Sequence, residues 1–158
     1  MVILLDLVGT LALPADRKIR PHRAHIRQVE QYDAELLQAI QDAYPGAYII
    51  LVTGRRSYYM AVTLESIAAK LGGWQPDEAH FAVDEPPHTF KARLFREHIS
   101  PRLGDPDETD YLAIESNTRT RAAYKQLGVR AIPKSMFLRE VRRGNQPGPL
   151  STRRPLGI

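Results

Sequence analysis

Five short runs of apolar residues, separated by amphipathic stretches, dominate the pattern of the chain. The runs cover residues 2–5, 47–53, 79–83, 110–115 and 129–132. The first has no polar position, which is typical of a strand that is buried on both faces of a parallel sheet. We therefore predict five strands, with the first of them in the centre of the sheet.

Helical segments separate these runs. Apolar residues recur at helical spacing, and the predicted helices cover residues 24–43, 58–71, 88–99 and 118–127. Within the first segment, Asp33 offers an alternative, because it is a suitable cap for a second helix that begins at Ala34. Ser57 is a candidate N-cap of the next helix. Residues 134–143 are a candidate for one more helix.

The order βαβαβαβαβ predicts an α/β fold. We expect a three-layer, Rossmann-like architecture in which a five-stranded parallel sheet is flanked by helices and joined by right-handed crossovers. A single domain is expected over residues 1–143, with a polar linker at 100–109. Residues 144–158 form a basic tail rich in proline and glycine, which predicts a flexible segment.

Composition narrows the possible classes. The chain has 158 residues and no cysteine, so it has neither a disulfide framework nor a zinc–thiolate site. No apolar run approaches the roughly 20 residues that a membrane helix needs, so no membrane partner is expected. The first residues lack a basic region ahead of the apolar run and are expected to form a strand, not a signal peptide. A cytoplasmic protein is the resulting expectation.

Positive charge is distributed unevenly along the chain. The net charge is +4 and the isoelectric point is about 9.5. One basic cluster follows the first strand and a second lies near the end; their members are Arg17, Lys18, Arg20, His22, Arg23, His25 and Arg27 in the first, and Arg139, Arg142, Arg143, Arg153 and Arg154 in the second. Such clusters can neutralise the phosphates of a nucleic acid, although many are only solvated faces.

Polar residues whose side chains can take part in catalysis follow three of the predicted strands. Asp6 ends the first strand, Thr53 ends the second and Glu115 ends the fourth, while Lys91 lies in a predicted helix. The carboxyl ends of parallel strands meet at one edge of a sheet, where α/β proteins bind their ligands. We therefore expect the first three side chains to lie close together there.

These four segments, taken in order, resemble the four motifs of the haloacid dehalogenase superfamily of aspartate-nucleophile phosphohydrolases. The resemblance covers about residues 1–132. It implies a nucleophilic attack by Asp6 on phosphorus, assisted by Thr53 and Lys91, through an acyl-phosphate intermediate. It also implies a phosphorylated substrate, whose expected contacts are Gly9, Thr10, Gly54, Arg55 and Asn117.

The same resemblance implies a bound Mg²⁺. Its expected ligands are Asp6, the backbone carbonyl of Val8, Glu115 and, weakly, Ser116. Two positions depart from the family pattern, because Val8 replaces its second aspartate and Ser116 replaces an aspartate of its last motif. Valine can neither protonate a leaving oxygen nor activate water, and the absence of a general acid–base costs roughly 10²–10⁴-fold in rate.

Three functions follow from this combination. The first is a phosphomonoesterase, and the second is a catalytically inactive binding or regulatory protein that keeps the fold. The third is a Mg²⁺-independent, dehalogenase-like hydrolase.

The short loop after the first strand leaves no room for a sizeable cap domain. Within the superfamily, the chain looks most like capless phosphatase domains of polynucleotide-end repair, including those of Swiss Army Knife RNA repair proteins. A nucleic-acid 3′ end is therefore one expected substrate, and the open site also suits a phosphoprotein.

Overall fold

A five-stranded parallel sheet forms the centre of the molecule. The computed structural model describes residues 1–14 and 22–148. Its strands are β1 (Val2–Leu5), β2 (Tyr48–Arg56), β3 (Glu78–Ala82), β4 (Tyr111–Ile114) and β5 (Arg130–Ile132). They lie in the order β3-β2-β1-β4-β5, and every neighbouring pair is parallel. The predicted fold class and the central position of β1 are thus confirmed.

Helices cover both faces of this sheet. They are α1 (Arg23–Gln28), α2 (Ala34–Ala43), α3 (Met60–Lys70), α4 (Pro87–Leu94), α5 (Ser100–Leu103), α6 (Thr118–Gln126) and α7 (Lys134–Arg142). Alternate residues of β1 point to opposite faces. Ile3 and Leu5 pack with α2, α3 and α7, whereas Leu4 packs with α4 and α6. Because helices cover both faces of β1, all of its side chains are buried. Polar residues are therefore disfavoured at every position, and this explains the uniformly apolar run.

The segment predicted as one helix over residues 24–43 contains two helices. Asp33 caps the second of them, since its Oδ1 accepts a hydrogen bond from the backbone N–H of Leu36 at 2.9 Å. Its Oδ2 accepts a bond from Lys134 at the start of α7, at 3.0 Å. The alternative interpretation, with a cap at Asp33, is therefore the correct one.

The predicted cap at Ser57 is wrong. Strand β2 continues to Arg56, Ser57–Tyr59 form a 3₁₀ turn, and α3 begins only at Met60 without a side-chain cap. Arg55 stays in the strand because its side chain is held in the interior, as described below. The chain therefore turns two to three residues later than the sequence pattern predicts.

The helix that carries Lys91 is longer than expected. Helix α4 continues through a π-helical segment, Phe95–Ile99, and then α5, so the predicted linker at 100–109 starts too early. Pro101 lacks a backbone N–H, and a local change of hydrogen-bond register is a usual response to a helical proline. Phe95 and Ile99 are buried against the sheet and hold the segment in place.

Part of the predicted tail is docked on the domain. Arg130 donates a hydrogen bond to the carbonyl of Gly148 at 3.1 Å, and Gln146 donates one to the carbonyl of Ala43 at 2.7 Å. The expectation of a flexible tail therefore does not hold for residues 144–148, and residues 149–158 lie outside the described part. None of the helices within residues 1–14 and 22–148 has the length and apolar character required to cross a membrane.

Candidate active site at the carboxyl edge of the sheet

A cavity of about 640 Å³ opens at the carboxyl ends of β1, β2 and β4. It brings together nine of the residues that the sequence singles out: Asp6, Val8, Thr53, Gly54, Arg55, Lys91, Glu115, Ser116 and Asn117. Gly9 and Thr10 are not among the residues that line it. The parallel topology explains this convergence, because each of the three strands ends at the same edge.

Asp6 lies at the base of the cavity and is held from three directions. Its side chain is only 6% exposed. Oδ1 accepts a hydrogen bond from Lys91 Nζ at 2.8 Å, and Oδ2 accepts one from Ser116 Oγ at 2.7 Å. Thr10 Oγ1 donates a further bond to Oδ2 at 2.9 Å. The carboxylate is therefore fixed in one orientation.

Lys91 forms a buried bridge between two carboxylates. Its Nζ lies 2.8 Å from Glu115 Oε2 as well as 2.8 Å from Asp6 Oδ1, and its side chain is 2% exposed. Burial alone would lower the pKa of Lys91, but the charges of Asp6 and Glu115 outweigh it and raise that pKa. Burial, and then the charge of Asp6, raises the pKa of Glu115 to about 7. One cation is thus shared between two acids.

The raised pKa of Glu115 predicts a measurable pH dependence of stability. Between its ordinary value of 4.5 and about 7, the folded protein binds a proton that the unfolded chain has already lost. The free energy of unfolding should therefore fall as the pH rises through this range, and it should level off above it. Urea titrations in EDTA should show that Glu115→Gln removes this part of the slope. Identical pH profiles for wild type and variant would contradict the assignment.

Thr53 and Gly54 form the wall beside Asp6. The Thr53 hydroxyl accepts a hydrogen bond from the backbone N–H of Arg55 at 3.0 Å, so its proton points away from that bond and can be donated to a ligand. A Cβ at Gly54 would lie 2.6 Å from the Pro87 side chain, which is too close. Glycine thus lets the start of α4 approach β2, and this approach brings Lys91 to the site.

Arg55 does not fill the predicted role beside a phosphate. Its guanidinium forms a two-point ion pair with Glu30, at 2.5 and 2.9 Å, and also donates to Thr63 Oγ1 at 3.1 Å. Burial alone would raise the pKa of Glu30, but Arg55 reverses this effect and holds that pKa below its usual range. Glu30 was not predicted from the sequence, because an acid that pairs with an arginine 25 positions away leaves no local signal.

The other three predicted phosphate contacts, Thr10, Gly9 and Asn117, have structural roles. Thr10 is completely buried, and its hydroxyl positions Asp6. Gly9 occupies a left-handed turn, with φ of 78°, that carries the chain away from β1. Asn117 lines the cavity, but its side-chain oxygen caps α6 by accepting a hydrogen bond from the backbone N–H of Thr120 at 3.0 Å.

The predicted metal ligands differ in how they are engaged in the structure. Glu115 is engaged by Lys91 at one oxygen and by the backbone N–H of Asn117, at 3.4 Å, at the other. Within the described residues there is no cluster of three or more His, Cys, Asp or Glu side chains suited to a metal. The oxygens that do converge are Asp6 Oδ2, the Val8 carbonyl and Ser116 Oγ, which lies 2.7 and 3.1 Å from the other two.

These three oxygen atoms are ligands of the type that Mg²⁺ prefers. Magnesium binds hard oxygens and often takes only one or two protein carboxylates, with waters and substrate phosphate completing its shell. Two acids against one lysine also leave the site with excess negative charge, which a cation would relieve. With a single carboxylate in the set, such a site would be weak.

Val8 places an apolar side chain at the mouth of the cavity. It is 56% exposed, which is unusual for a valine beside buried charged groups. No titratable side chain stands at this position to serve a leaving group. Arg56 also lines the cavity; its guanidinium donates to the carbonyl of Val83 at 2.9 Å and lies 3.7 Å from Asp84.

Comparisons with known proteins show similarity to this chain in fold alone. No protein-family model and no curated protein sequence matches the chain. Two solved structures of chains from the Pnkp1/Rnl/Hen1 RNA repair complex superpose with TM-scores of 0.65 and 0.63, each at 20% identity over 84% of this chain. This chain spans only 41% and 45% of those two chains. The neighbours thus share its three-layer α/β fold and come from a complex that repairs RNA.

Proposed function

We propose that this protein is a slow phosphomonoesterase that uses Asp6 as its nucleophile. One observation carries the proposal: a carboxylate at the end of the central strand is fixed by Lys91, Ser116 and Thr10 at the base of an open cavity. Membership of the haloacid dehalogenase superfamily is part of the same proposal. The order of the four motifs and the strand order around β1 both support it.

The chemistry divides one difficult step into two. Oδ1 of Asp6 attacks the phosphorus, the bond from phosphorus to the ester oxygen breaks, and water then cleaves the resulting acyl phosphate. The transferring phosphoryl group needs positioned donors. Lys91 Nζ, the Thr53 hydroxyl and the backbone N–H of Gly54 line the cavity near Asp6 and are suited to this task.

Mg²⁺ would be held by Asp6 Oδ2, the Val8 carbonyl and the Ser116 hydroxyl. When bound, it would supply positive charge that neutralises phosphoryl oxygens. Independently of that cation, Ser116 orients the carboxylate of Asp6, and Lys91 reduces its repulsion of an anionic substrate. The excess negative charge on the protein side makes binding of a phosphate dianion weak without added cations.

Position 8 sets the expected preference for leaving groups. Because Val8 donates no proton, an ester oxygen that departs must be stable as an anion or must take a proton from water. Esters of acidic alcohols should therefore react much faster than ordinary alkyl phosphates. This is the reason that we propose slow turnover.

A nucleic-acid end is the substrate class that the surface supports best. A second groove, of about 500 Å³, lies along α6, β5 and α7. Its lining includes four cations and no acidic residue: Arg121, Lys125, Arg130 and Arg139. Arg121 also donates to the carbonyls of Glu115 and Ser116, at 3.0 and 2.8 Å, so this basic groove begins beside the site. Such a surface suits a phosphodiester backbone.

The proposal is tested with an activated substrate. We expect wild type to hydrolyse 4-nitrophenyl phosphate slowly in the presence of Mg²⁺, because the nitrophenolate leaves without a proton. Asp6→Asn should abolish this activity, whereas Asp107→Asn, a matched change at an exposed carboxylate, should not affect it. Equal rates for wild type and Asp6→Asn would remove Asp6 from the chemistry.

A specific contact favours a second candidate, a binding protein without turnover. Ser116 Oγ lies within hydrogen-bond distance of both Asp6 Oδ2 and the Val8 carbonyl, and it thus occupies the space between two expected metal ligands. If this hydroxyl excludes Mg²⁺, the cavity retains phosphate esters and does not cleave them. Binding of a phosphorylated oligonucleotide, without any release of phosphate over days, would favour this candidate over the enzyme.

A further inference from the structure

We infer that Tyr58 is a stacking platform for the terminal base of a single-stranded nucleic acid whose phosphorylated end lies against Asp6. The inference rests on the proposed function, because it assigns the group that accompanies the phosphate. Tyr58 and Asp6 line the same cavity, whose volume of about 640 Å³ lies within the range of small-molecule sites. One ligand can therefore contact both residues.

The ring of Tyr58 is exposed and is supported by one aromatic contact, while its backbone accepts a hydrogen bond. It is 61% exposed, and its edge meets the ring of Tyr59 at a centroid distance of 4.5 Å and an interplanar angle of 61°. Arg23 donates to the backbone carbonyl of Tyr58 at 3.1 Å and lies over the ring of Tyr59 at 5.7 Å. These contacts anchor the backbone of Tyr58 and support its ring, which reduces the entropy lost when a flat ligand stacks on it.

Three of the six large exposed hydrophobic residues in the described part of the chain lie at or next to this rim. Tyr58 and Val8, at 61% and 56% exposure, both line the cavity. Val83, at 74% exposure, is tied to the same rim through its carbonyl, which accepts the bond from Arg56. A soluble ligand that covers such surface beside a phosphate site must carry a flat apolar group next to its phosphate. A nucleobase meets this requirement.

Charge at the rim favours a nucleic acid over an isolated aryl phosphate. Arg56 precedes the two tyrosines in sequence and lines the same cavity, and its one ion-pair partner in the described residues is Asp84, at 3.7 Å. Asp84 is 95% exposed, so this ion pair contributes little, and the guanidinium's other contact is one hydrogen bond from Nη1 to the carbonyl of Val83. Arginine beside exposed aromatic rings is the usual composition of single-strand binding surfaces.

The test measures binding of a short, 5′-labelled oligonucleotide with a 3′-phosphate by fluorescence anisotropy, using the full chain at low salt. Tyr58→Leu should weaken binding on the order of 10-fold, the loss of one stacked base, and Tyr58→Phe should keep most of the affinity. With an abasic terminal nucleotide, wild type should bind as weakly as Tyr58→Leu does. Thermal unfolding establishes that both variants are folded.

Three controls separate this inference from the proposed function. If removal of the 3′-phosphate changes nothing while Tyr58→Leu still weakens binding, the phosphate site fails and the platform stands. If the phosphate matters but Tyr58→Leu binds both probes as wild type does, the platform is wrong. A phosphotyrosine peptide that binds more tightly than the oligonucleotide, and loses its advantage in Tyr58→Leu, would overturn the assignment to nucleic acid.

Discussion

Replacing Lys91 by methionine should lower the free energy of unfolding by about 3–5 kcal/mol at neutral pH, the cost of removing one partner from a buried ion pair. The reason is the arrangement around Nζ, which contacts Asp6 Oδ1 and Glu115 Oε2 at 2.8 Å each. Methionine fills a similar volume, so the loss reports charge and not packing. Urea unfolding in EDTA, at pH 7.5, measures it directly.

The pH dependence of this loss identifies its cause. Without Lys91, Glu115 loses the cation that lowers its pKa, so it binds its proton still more tightly in the folded state than in the unfolded chain. The deficit of Lys91→Met should therefore shrink as the pH falls from 7.5 toward 5. Lys91→Met/Glu115→Gln, which removes one of the two unpaired charges, should be more stable than the single variant.

The matched control is Lys125→Met, at an exposed position of α6. A surface change of this kind normally alters stability by less than about 0.5 kcal/mol. If Lys91→Met unfolds at the same urea concentration as wild type and Lys125→Met, the buried bridge contributes nothing. The description of the site as one cation shared by two acids would then be wrong.

Local sequence was sufficient to predict which strand ends form the site. An apolar run that ends in a polar residue marks the carboxyl end of a buried strand, and parallel strands bring those ends together. This reasoning places Asp6, Thr53 and Glu115 at one edge without knowledge of side-chain contacts. The cap at Asp33 could also be predicted, because an N-cap side chain binds a backbone N–H only three positions further along the chain.

Long-range pairing was beyond the same reasoning. Arg55 looked available for a phosphate, but Glu30 binds it across 25 positions of sequence. That choice depends on the packing of α1 and α3 beside β2, which no local pattern encodes. Ser57 failed as a cap for the same reason, because the pairing of Arg55 keeps the end of β2 extended. Thr10 likewise proved to be buried, so it positions Asp6 instead of meeting a ligand.

Val8→Asp should raise the rate on alkyl phosphates, by up to the roughly 10²–10⁴-fold that a positioned proton donor contributes. Position 8 lies at the mouth of the cavity, and its side chain is more than half exposed, so an aspartate there is tolerated and can reach a departing oxygen. The gain should be much smaller on 4-nitrophenyl phosphate, whose leaving group needs no proton. Val8→Asn, which has the same shape without an acid, is the control and should show no gain.

Ser116→Asp should add to this effect through the metal. A second carboxylate beside Asp6 Oδ2 repels it in EDTA but strengthens the oxygen set for Mg²⁺. The double variant Val8→Asp/Ser116→Asp should therefore exceed the product of the single gains, because the two positions act on one site. Calorimetric titration with Mg²⁺ should show tighter binding in Ser116→Asp than in wild type.

The contrary result is equally informative. Suppose that the double variant is folded and binds Mg²⁺ but releases no phosphate from any ester. The acid and the metal would then both be present, and the missing element would have to be the nucleophile or the phosphate contacts at Thr53 and Gly54. In that case the cavity is a binding surface, and the candidate without turnover takes the place of the phosphomonoesterase.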